Sequence, residues 1–302
     1  MEALPDRVRI VEVGPRDGLQ GEAKHITTEQ KLAYIGRLIE SGLGDIEIGA
    51  FVSPKAVPQM ADTLEVAARL PAAPGVRYLA LVPNYRGLEH ALEAGLKRIA
   101  IFTAASNTFC EKNIRMSIAR SLDVYGEVVG AALTAGLSVR AYLSTCFECP
   151  YEGAVPKQRV VELTERLLEL GADEVVISDT TGSAAPREVY ETVGCCVGAV
   201  SAEKIALHFH DTYGTGMANV LAGLELGVRT FDASAGGIGG CPFAPGAAGN
   251  IATEDLVYML DRMDIRTGVD IRKVVHAARL LADALGRTLP SRNFSRLNIQ
   301  NV

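Results

Sequence analysis

The sequence predicts a single closed (β/α)8 barrel, and three observations point there. Short β-branched runs, apolar on both faces, alternate with longer helical patterns along the chain, as buried parallel strands and their covering helices do. There are eight such runs. Glycine closes helix after helix just before the next strand, in SGLGDIEIG, EAGLKRIAIF, TAGLSVRAYL, LGADEVVIS and LGVRTFDAS, the pattern of a C-cap glycine followed by a parallel strand. An open doubly wound sheet would need a phosphate-binding glycine turn after its first strand, where VEVGPRDGL offers a charged loop.

In chain order, the strands are read at Val8–Val13, Asp45–Phe51, Arg77–Val82, Arg98–Thr103, Ser138–Ser144, Glu174–Ser178, Ile205–His210 and Thr230–Ser234. Helical patterns fall between them at Glu29–Glu40, Ala61–Leu70, Ser117–Leu133, Lys157–Leu170 and Arg187–Val200. After the eighth unit, Ile271–Gly286 reads as one more amphipathic helix, followed by a polar tail. The 302 residues suit one barrel of ~250 residues plus an appendage. The expectation is therefore one catalytic domain over 1–302, with 270–302 as a helical appendage and tail.

Composition narrows the class of protein. Apolar residues make up 48% of the chain and charged residues 22%, which excludes general disorder. A net charge of −6 lacks the basic footprint that nucleic acid or an anionic membrane favours. No apolar run approaches the ~20 residues of a membrane span, and MEALPDRVRI carries acids and a proline where a secretory signal needs an apolar core. Six cysteines are too sparse for a disulfide scaffold. The expectation is a soluble cytoplasmic protein with neither nucleic-acid nor membrane partners.

Chemistry in a (β/α)8 barrel sits at the C-terminal ends of the strands. The first strand runs into Gly14-Pro15-Arg16-Asp17-Gly18, and the second contains Glu47. The seventh ends in His208-Phe209-His210, and the eighth leads into Ser234-Ala235-Gly236-Gly237-Ile238-Gly239-Gly240-Cys241, with Asn250 beyond. Two residues apart on a strand, His208 and His210 face the same way. They either chelate one divalent ion or form a satisfied polar pair in the barrel mouth. Asp17 favours the first reading, because the first strand of a closed barrel adjoins the eighth and the eighth adjoins the seventh. Two imidazoles with oxygen ligands and no thiolate suit Mg²⁺ or Mn²⁺ better than four-coordinate zinc.

The glycine run before Cys241 reads either as a turned surface loop or as a mobile lid bearing a thiol. Cys146 and Cys149 read as an incidental pair, Cys195 and Cys196 as core residues, and His90 and His276 as packing or surface residues. His25, after the first strand, lies within reach of the mouth but carries no assignment.

These residues sit in segments that resemble the 3-hydroxy-3-methylglutaryl-CoA lyases: VEVGPRDGLQ (11–20), IEIGAFVSPKAVPQMAD (46–62), AASNTFCEKNIRMSI (104–118), ECPYEG (148–153), HFHDTYGTGMAN (208–219) and GGIGGCPFAPGAAGNIATEDLVYML (236–260). The resemblance runs from about residue 8 to residue 290. It implies a barrel that holds one Mg²⁺ or Mn²⁺ on Asp17, His208, His210 and Asn250. Arg16 becomes the cation facing the reacting oxygens, Glu47 a polar active-site residue and Cys241 the thiol of the signature loop.

The implied reaction splits a β-hydroxyacyl thioester into a ketone and the acetyl-CoA enolate, with an acyl-CoA substrate and a homodimeric enzyme. Asp17 and His208 become candidate bases for the hydroxyl proton, and Cys241 a candidate acid for the enolate carbon. The chain departs from the family pattern at Gly49-Ala50, where a hydroxyl residue is usual, at Gly21, and at the Ser-Ala-Ala-Pro after Gly182. A related substrate such as citramalyl-CoA or a longer branched homologue therefore stays open. So do a Claisen condensation synthase and a non-catalytic acyl-CoA-binding barrel.

Overall fold

A computed structural model describes residues 4–240 and 249–298. Among these residues, eight parallel strands close into one barrel: β1 (Arg9–Glu12), β2 (Asp45–Ala50), β3 (Arg77–Leu81), β4 (Arg98–Ala104), β5 (Ser138–Ser144), β6 (Glu174–Asp179), β7 (Ile205–Phe209) and β8 (Thr230–Ala233). Each pairs with its neighbours in sequence, and β1 closes on β8 in the register Arg9↔Thr230 to Glu12↔Ala233. The expected barrel is borne out, and each expected strand matches an observed one to within a residue or two at its ends.

The covering helices are α1 (Thr28–Glu40), α2 (Thr63–Arg69), α3 (Tyr85–Glu93), α4 (Asn107–Ile114), α5 (Ile118–Thr134), α6 (Lys157–Glu169), α7 (Pro186–Val200), α8 (Gly216–Glu225) and α9 (Thr253–Arg262). Their starts follow local chemistry. Thr27 and Gln30 form a reciprocal capping box on α1, and the side chains of Asn84, Ser106 and Ser117 accept the orphan backbone N–H groups of α3, α4 and α5. Helix α1 buries Lys31, Tyr34, Ile35 and Leu38, the i, i+3, i+4, i+7 stripe of an amphipathic helix against the barrel wall. None of the described helices is long and apolar enough to cross a membrane.

Past α9 the chain adds α10 (Ile271–Leu285) and α11 (Arg292–Asn298). The second corrects the expected polar tail. Asp255 accepts from Ser291 Oγ at 3.0 Å and from the backbone of Arg292 and Asn293 at 3.1 and 2.8 Å, and Phe294 is buried. A cap supplied by α9 makes a helix of a stretch that lacks an apolar stripe. One cysteine expectation also changes: Cys196 is buried but Cys195 is exposed. Consecutive helical residues point about 100° apart, so only one of the two faces the core.

Inside the barrel, polarity is layered. Arg9, Asp45, Arg77, Arg98 and Glu174 open five strands at the N-terminal end and form an ionic plug there. Arg98 lies 2.9 Å from Glu174 and 2.8 Å from Asp173, Arg77 lies 2.8 Å from Asp45, and Arg9 also pairs with Glu174. A small apolar layer follows, made by Val11, Val13, Leu79, Ala100, Val176 and Ala206. Charged groups reappear at the opposite end.

Candidate functional site

The turn after β1 carries Arg16 and Asp17 in a single π-type turn, Gly14–Gly18, whose wide backbone places the two side chains inward together. Arg16 is buried. Its Nε and NH2 each lie 2.8 Å from Glu47 Oε2, and its NH1 lies 2.5 Å from Asp17 Oδ1. The guanidinium also lies over the Tyr142 ring, 5.1 Å from its centroid. Burial opposes the Arg16 charge, but Glu47 and Asp17 outweigh it and hold the group protonated. Burial likewise opposes the Asp17 charge. Arg16, His208, His210 and a hydrogen bond from Asn250 outweigh it and push that carboxyl well below the usual carboxylate range.

His208 lies within β7 and His210 just past it, with ring centroids 5.2 Å apart. Asp17, His208 and His210 each offer one ligand atom, all within 4.8 Å of one another. His210 Nε2 lies 4.0 Å from Asp17 Oδ2. Burial, with His208 beside it, pulls the His210 pKa down to about 4, so the imidazole is neutral and has a lone pair to give. His210 Nδ1 is buried without a hydrogen-bond partner among the described residues. His208 Nδ1 is held 3.1 Å from Asp232 Oδ2, which leaves Nε2 for the site. A carboxylate on the far nitrogen of an imidazole is the usual way a protein orients a metal-binding histidine.

Asn250 reaches this cluster by backbone pairing. The strip around it bridges antiparallel to His210 and parallel to the β8 exit at Ser234↔Ala252. Its Nδ2 donates to Asp17 Oδ2 at 2.9 Å and to the Ile238 carbonyl at 3.1 Å, so its remaining polar atom is the amide oxygen. The glycine run makes room for this: a Cβ on Gly239 would fall 2.4 Å from Asn250 Nδ2. Ala235–Gly239 are buried, which overturns the surface-loop reading for that stretch. Cys241 lies outside the described residues, so neither its position nor the lid reading has a structural counterpart here. His25 is exposed and His276 is exposed, while His90 stacks at 5.9 Å on Phe51.

Residues that the sequence reading passed over complete the interior. Arg140 and Tyr142 alternate on β5 and so share its inner face. Arg140 NH1 donates to Tyr142 Oη at 3.0 Å, and Tyr142 donates to Glu47 Oε2 at 3.0 Å. Arg140 also pairs with Glu174 at 2.8 Å and with Asp232 at 2.7 Å. A chain of buried contacts thus runs Arg16–Glu47–Tyr142–Arg140–Asp232–His208. Burial pushes the Glu47 carboxyl up against the pull of Arg16, and burial with Asp232 and Glu47 nearby holds the Tyr142 phenol protonated. The overlooked signal is a charged residue inside an otherwise apolar strand, in SVRAYLS and TFDAS, which needs a partner across the barrel.

Two departures noted in the sequence have local explanations. The space a side chain would occupy at Gly49 is held by Thr63 of α2, 2.5 Å from the position of a Cβ; its hydroxyl accepts from Ala50 N at 3.2 Å and donates to Met60 O at 2.9 Å. After β6, Asp179 closes the turn by accepting from Ser183 N and Ala184 N at 3.2 and 3.0 Å. Cys146 and Cys149 are buried free thiols that bond Leu143 O and Ser106 Oγ, in keeping with the incidental reading.

Residues 7–281 match the HMGL-like family model. A hydroxymethylglutaryl-CoA lyase of Bacillus subtilis is 48% identical over 289 residues, covering 96% of this chain and 97% of that protein. The crystal structure of the Bacillus subtilis HMG-CoA lyase superposes with a TM-score of 0.96 at 47% identity, over 98% of this chain and 99% of the other. An HMG-CoA lyase from Acinetobacter baumannii, solved in complex with coenzyme A and 3-methylmalate, aligns with a TM-score of 0.91 at 40% identity, over 97% and 95% of the two chains.

Proposed function

The chain belongs to the HMGL-like family, and from that premise we propose that it is a divalent-metal-dependent lyase cleaving 3-hydroxy-3-methylglutaryl-CoA to acetyl-CoA and acetoacetate. The observation that carries the reading is the meeting of Asp17, His208 and His210 in one cluster beside the buried cation of Arg16. The structure of a relative holding coenzyme A supports an acyl-CoA thioester as the substrate.

The donor set fits a hard cation. Two imidazoles, one of them oriented by Asp232, a carboxylate kept ionised by its surroundings and the amide oxygen of Asn250 suit Mg²⁺ or Mn²⁺, and His210 is neutral with Nε2 on the side of Asp17. When bound, the ion supplies Lewis-acid polarisation of the substrate oxygens and fixes their orientation. The rest falls to the side chains. Cleavage begins with loss of the proton on the tertiary hydroxyl and ends with negative charge on the thioester oxygen. His208 Nε2 is the nitrogen that would hold the ion, since Asp232 on Nδ1 fixes the tautomer with its lone pair there, and that lone pair is then not free to take a proton. Asp17, the other candidate base, is kept ionised against burial by Arg16, His208 and His210, and its carboxylate is the group left to take the hydroxyl proton. Arg16 faces the developing enolate oxygen from a site shut off from water. Cys241 is proposed as the acid for the enolate carbon, by resemblance alone.

The test is product analysis by mass with purified protein loaded with Mg²⁺ or Mn²⁺, across a panel of 3-hydroxyacyl-CoA thioesters that includes citramalyl-CoA. Acetyl-CoA and acetoacetate from the hydroxymethylglutaryl substrate are expected, with turnover lost after chelation and restored by either ion. Full-rate cleavage by the chelated protein, or preference for another thioester, overturns the corresponding part of the reading. A second expectation concerns His208. Asp232→Asn leaves the ring without its carboxylate and is expected to weaken Mn²⁺ affinity about 10–100-fold, read by titration of the metal. Unchanged affinity refutes the orienting role.

A further inference from the structure

Glu12, the last residue of β1, takes no part in the cluster above, yet it is fully buried and draws together the segments that build it. Among the described residues, four donors converge on its carboxylate. Oε1 accepts from Gly14 N at 2.9 Å, at the start of the turn bearing Arg16 and Asp17, and from Ala235 N at 2.9 Å, where the chain leaves β8. It also lies 3.5 Å from the Tyr34 hydroxyl of α1. Oε2 accepts at 2.7 Å from Thr253 Oγ1, which opens α9 just beyond Asn250. A second buried acid, Glu254, receives Gly236 N on both oxygens, at 3.1 and 3.0 Å.

Two adjacent amides of the β8 exit, Ala235 and Gly236, are therefore held by carboxylates from two different elements. The turn that carries Asp17 and the strip that carries Asn250 are tied to one of those carboxylates. Asp17 lies in a single π-type turn and Asn250 in a strip joined to its surroundings by isolated bridges, so the ladder hydrogen bonds of the barrel do not by themselves fix their spacing.

We propose that Glu12 is a positioning residue that sets the distance between Asp17 and Asn250, and so the metal cage, through the reach of its carboxyl group; the inference rests on the metal-binding reading above. The argument is about length. Shortening the side chain by one methylene pulls the acceptor away from Gly14 N, Ala235 N and Thr253 Oγ1 together. Replacing one oxygen with an amide keeps an acceptor for the two amides, and the new NH₂ can donate to the Thr253 hydroxyl. Burial pushes the Glu12 carboxyl up to about 7 despite hydrogen bonds from Thr253, Ala235 and Gly14, so a neutral isostere suits the site.

The experiment compares Glu12→Asp with Glu12→Gln, reading Mn²⁺ affinity by direct titration and amide hydrogen exchange in metal-free protein. Glu12→Asp is expected to weaken Mn²⁺ binding about 10–100-fold, as lost supports around metal ligands do. The amides of Gly14 and Ala235 are expected to exchange faster together in that variant. Glu12→Gln is expected to keep both properties close to the parent. Should Glu12→Asp fail to fold, Thr253→Val severs only the Asn250 arm and is expected to weaken Mn²⁺ binding without altering exchange at Gly14. Parent-like Mn²⁺ affinity and exchange in Glu12→Asp overturns the proposal, and so does equal damage from Glu12→Gln, which would make charge and not reach the operative property. A parent protein that binds no Mn²⁺ refutes the functional reading itself, and the exchange pattern then still reports separately on whether Glu12 holds the two segments.

Discussion

Arg16→Gln is expected to lower turnover about 10²–10³-fold, corresponding to about 2.7–4 kcal/mol of lost transition-state stabilisation, while leaving Mn²⁺ binding near that of the parent. Arg16 is held on Glu47 by two nitrogens and on Asp17 by a third, with its face on Tyr142, so its position is set before any substrate arrives. A pre-positioned cation costs no reorganisation when charge moves to the thioester oxygen, and that charge exists only along the reaction path. The loss should therefore appear in kcat and in kcat/KM to the same extent, with KM little changed. Glutamine is shorter, neutral and unable to present the fork. Arg16→Lys restores a charge but not the double contact with Glu47, so it is expected to recover only part of the rate. Acetyl-CoA release measured alongside metal titration decides the matter: unchanged turnover in Arg16→Gln removes Arg16 from the reaction, and lost metal would reassign it to holding Asp17.

Asp17, His208 and His210 were legible in the sequence because their cues are local. A glycine-bounded Arg-Asp turn follows one strand, an H-x-H ends another, and closing the barrel brings those strand ends within one strand of each other. Asn250 came only from resemblance, since its place depends on a strip that returns to pair with both His210 and the β8 exit. Arg140, Tyr142 and Asp232 were missed for a different reason. Their strands read as buried on both faces, and inside a barrel the inner face is buried whether it holds leucine or arginine. Which charge meets which is decided by shear and side-chain length across the lumen, and no periodicity records that. Glu12 was hidden in the same way, within VRIVEV, with partners contributed by α1, the β8 exit and α9.

The missed residues also change how the barrel is understood. The lumen holds a lower ionic layer around Glu174 and an upper one around Arg16 and His208, with a thin apolar layer between them. Arg140 bridges the two, touching Glu174 below and Asp232 and Tyr142 above. The orientation of His208 is thus tied, through Asp232 and Arg140, to a plug that has no part in the chemistry. Stability and activity share a side chain at that point.

Arg140→Met is expected to destabilise the fold by about 3–5 kcal/mol, the usual cost of removing one partner from a buried ion pair. Against a typical total of about 5–15 kcal/mol, a loss of that size brings the protein close to unfolding. The native guanidinium is fully buried. Burial opposes its charge, but Asp232, Tyr142 and Glu174 outweigh that cost and keep it protonated. Once it is gone, Glu174 still has Arg9 and Arg98, whereas among the described residues Asp232 keeps only His208. The destabilisation should therefore arise mainly at Asp232. Adding Asp232→Asn to Arg140→Met removes the stranded charge and is expected to restore much of the lost stability, read as the urea midpoint at unchanged m-value. Activity should not return with it, because His208 then has a neutral partner on Nδ1 and its preferred tautomer is no longer enforced. Recovery of both together would show that Asp232 serves only to balance Arg140, and failure to recover stability would place the damage at Glu174 instead.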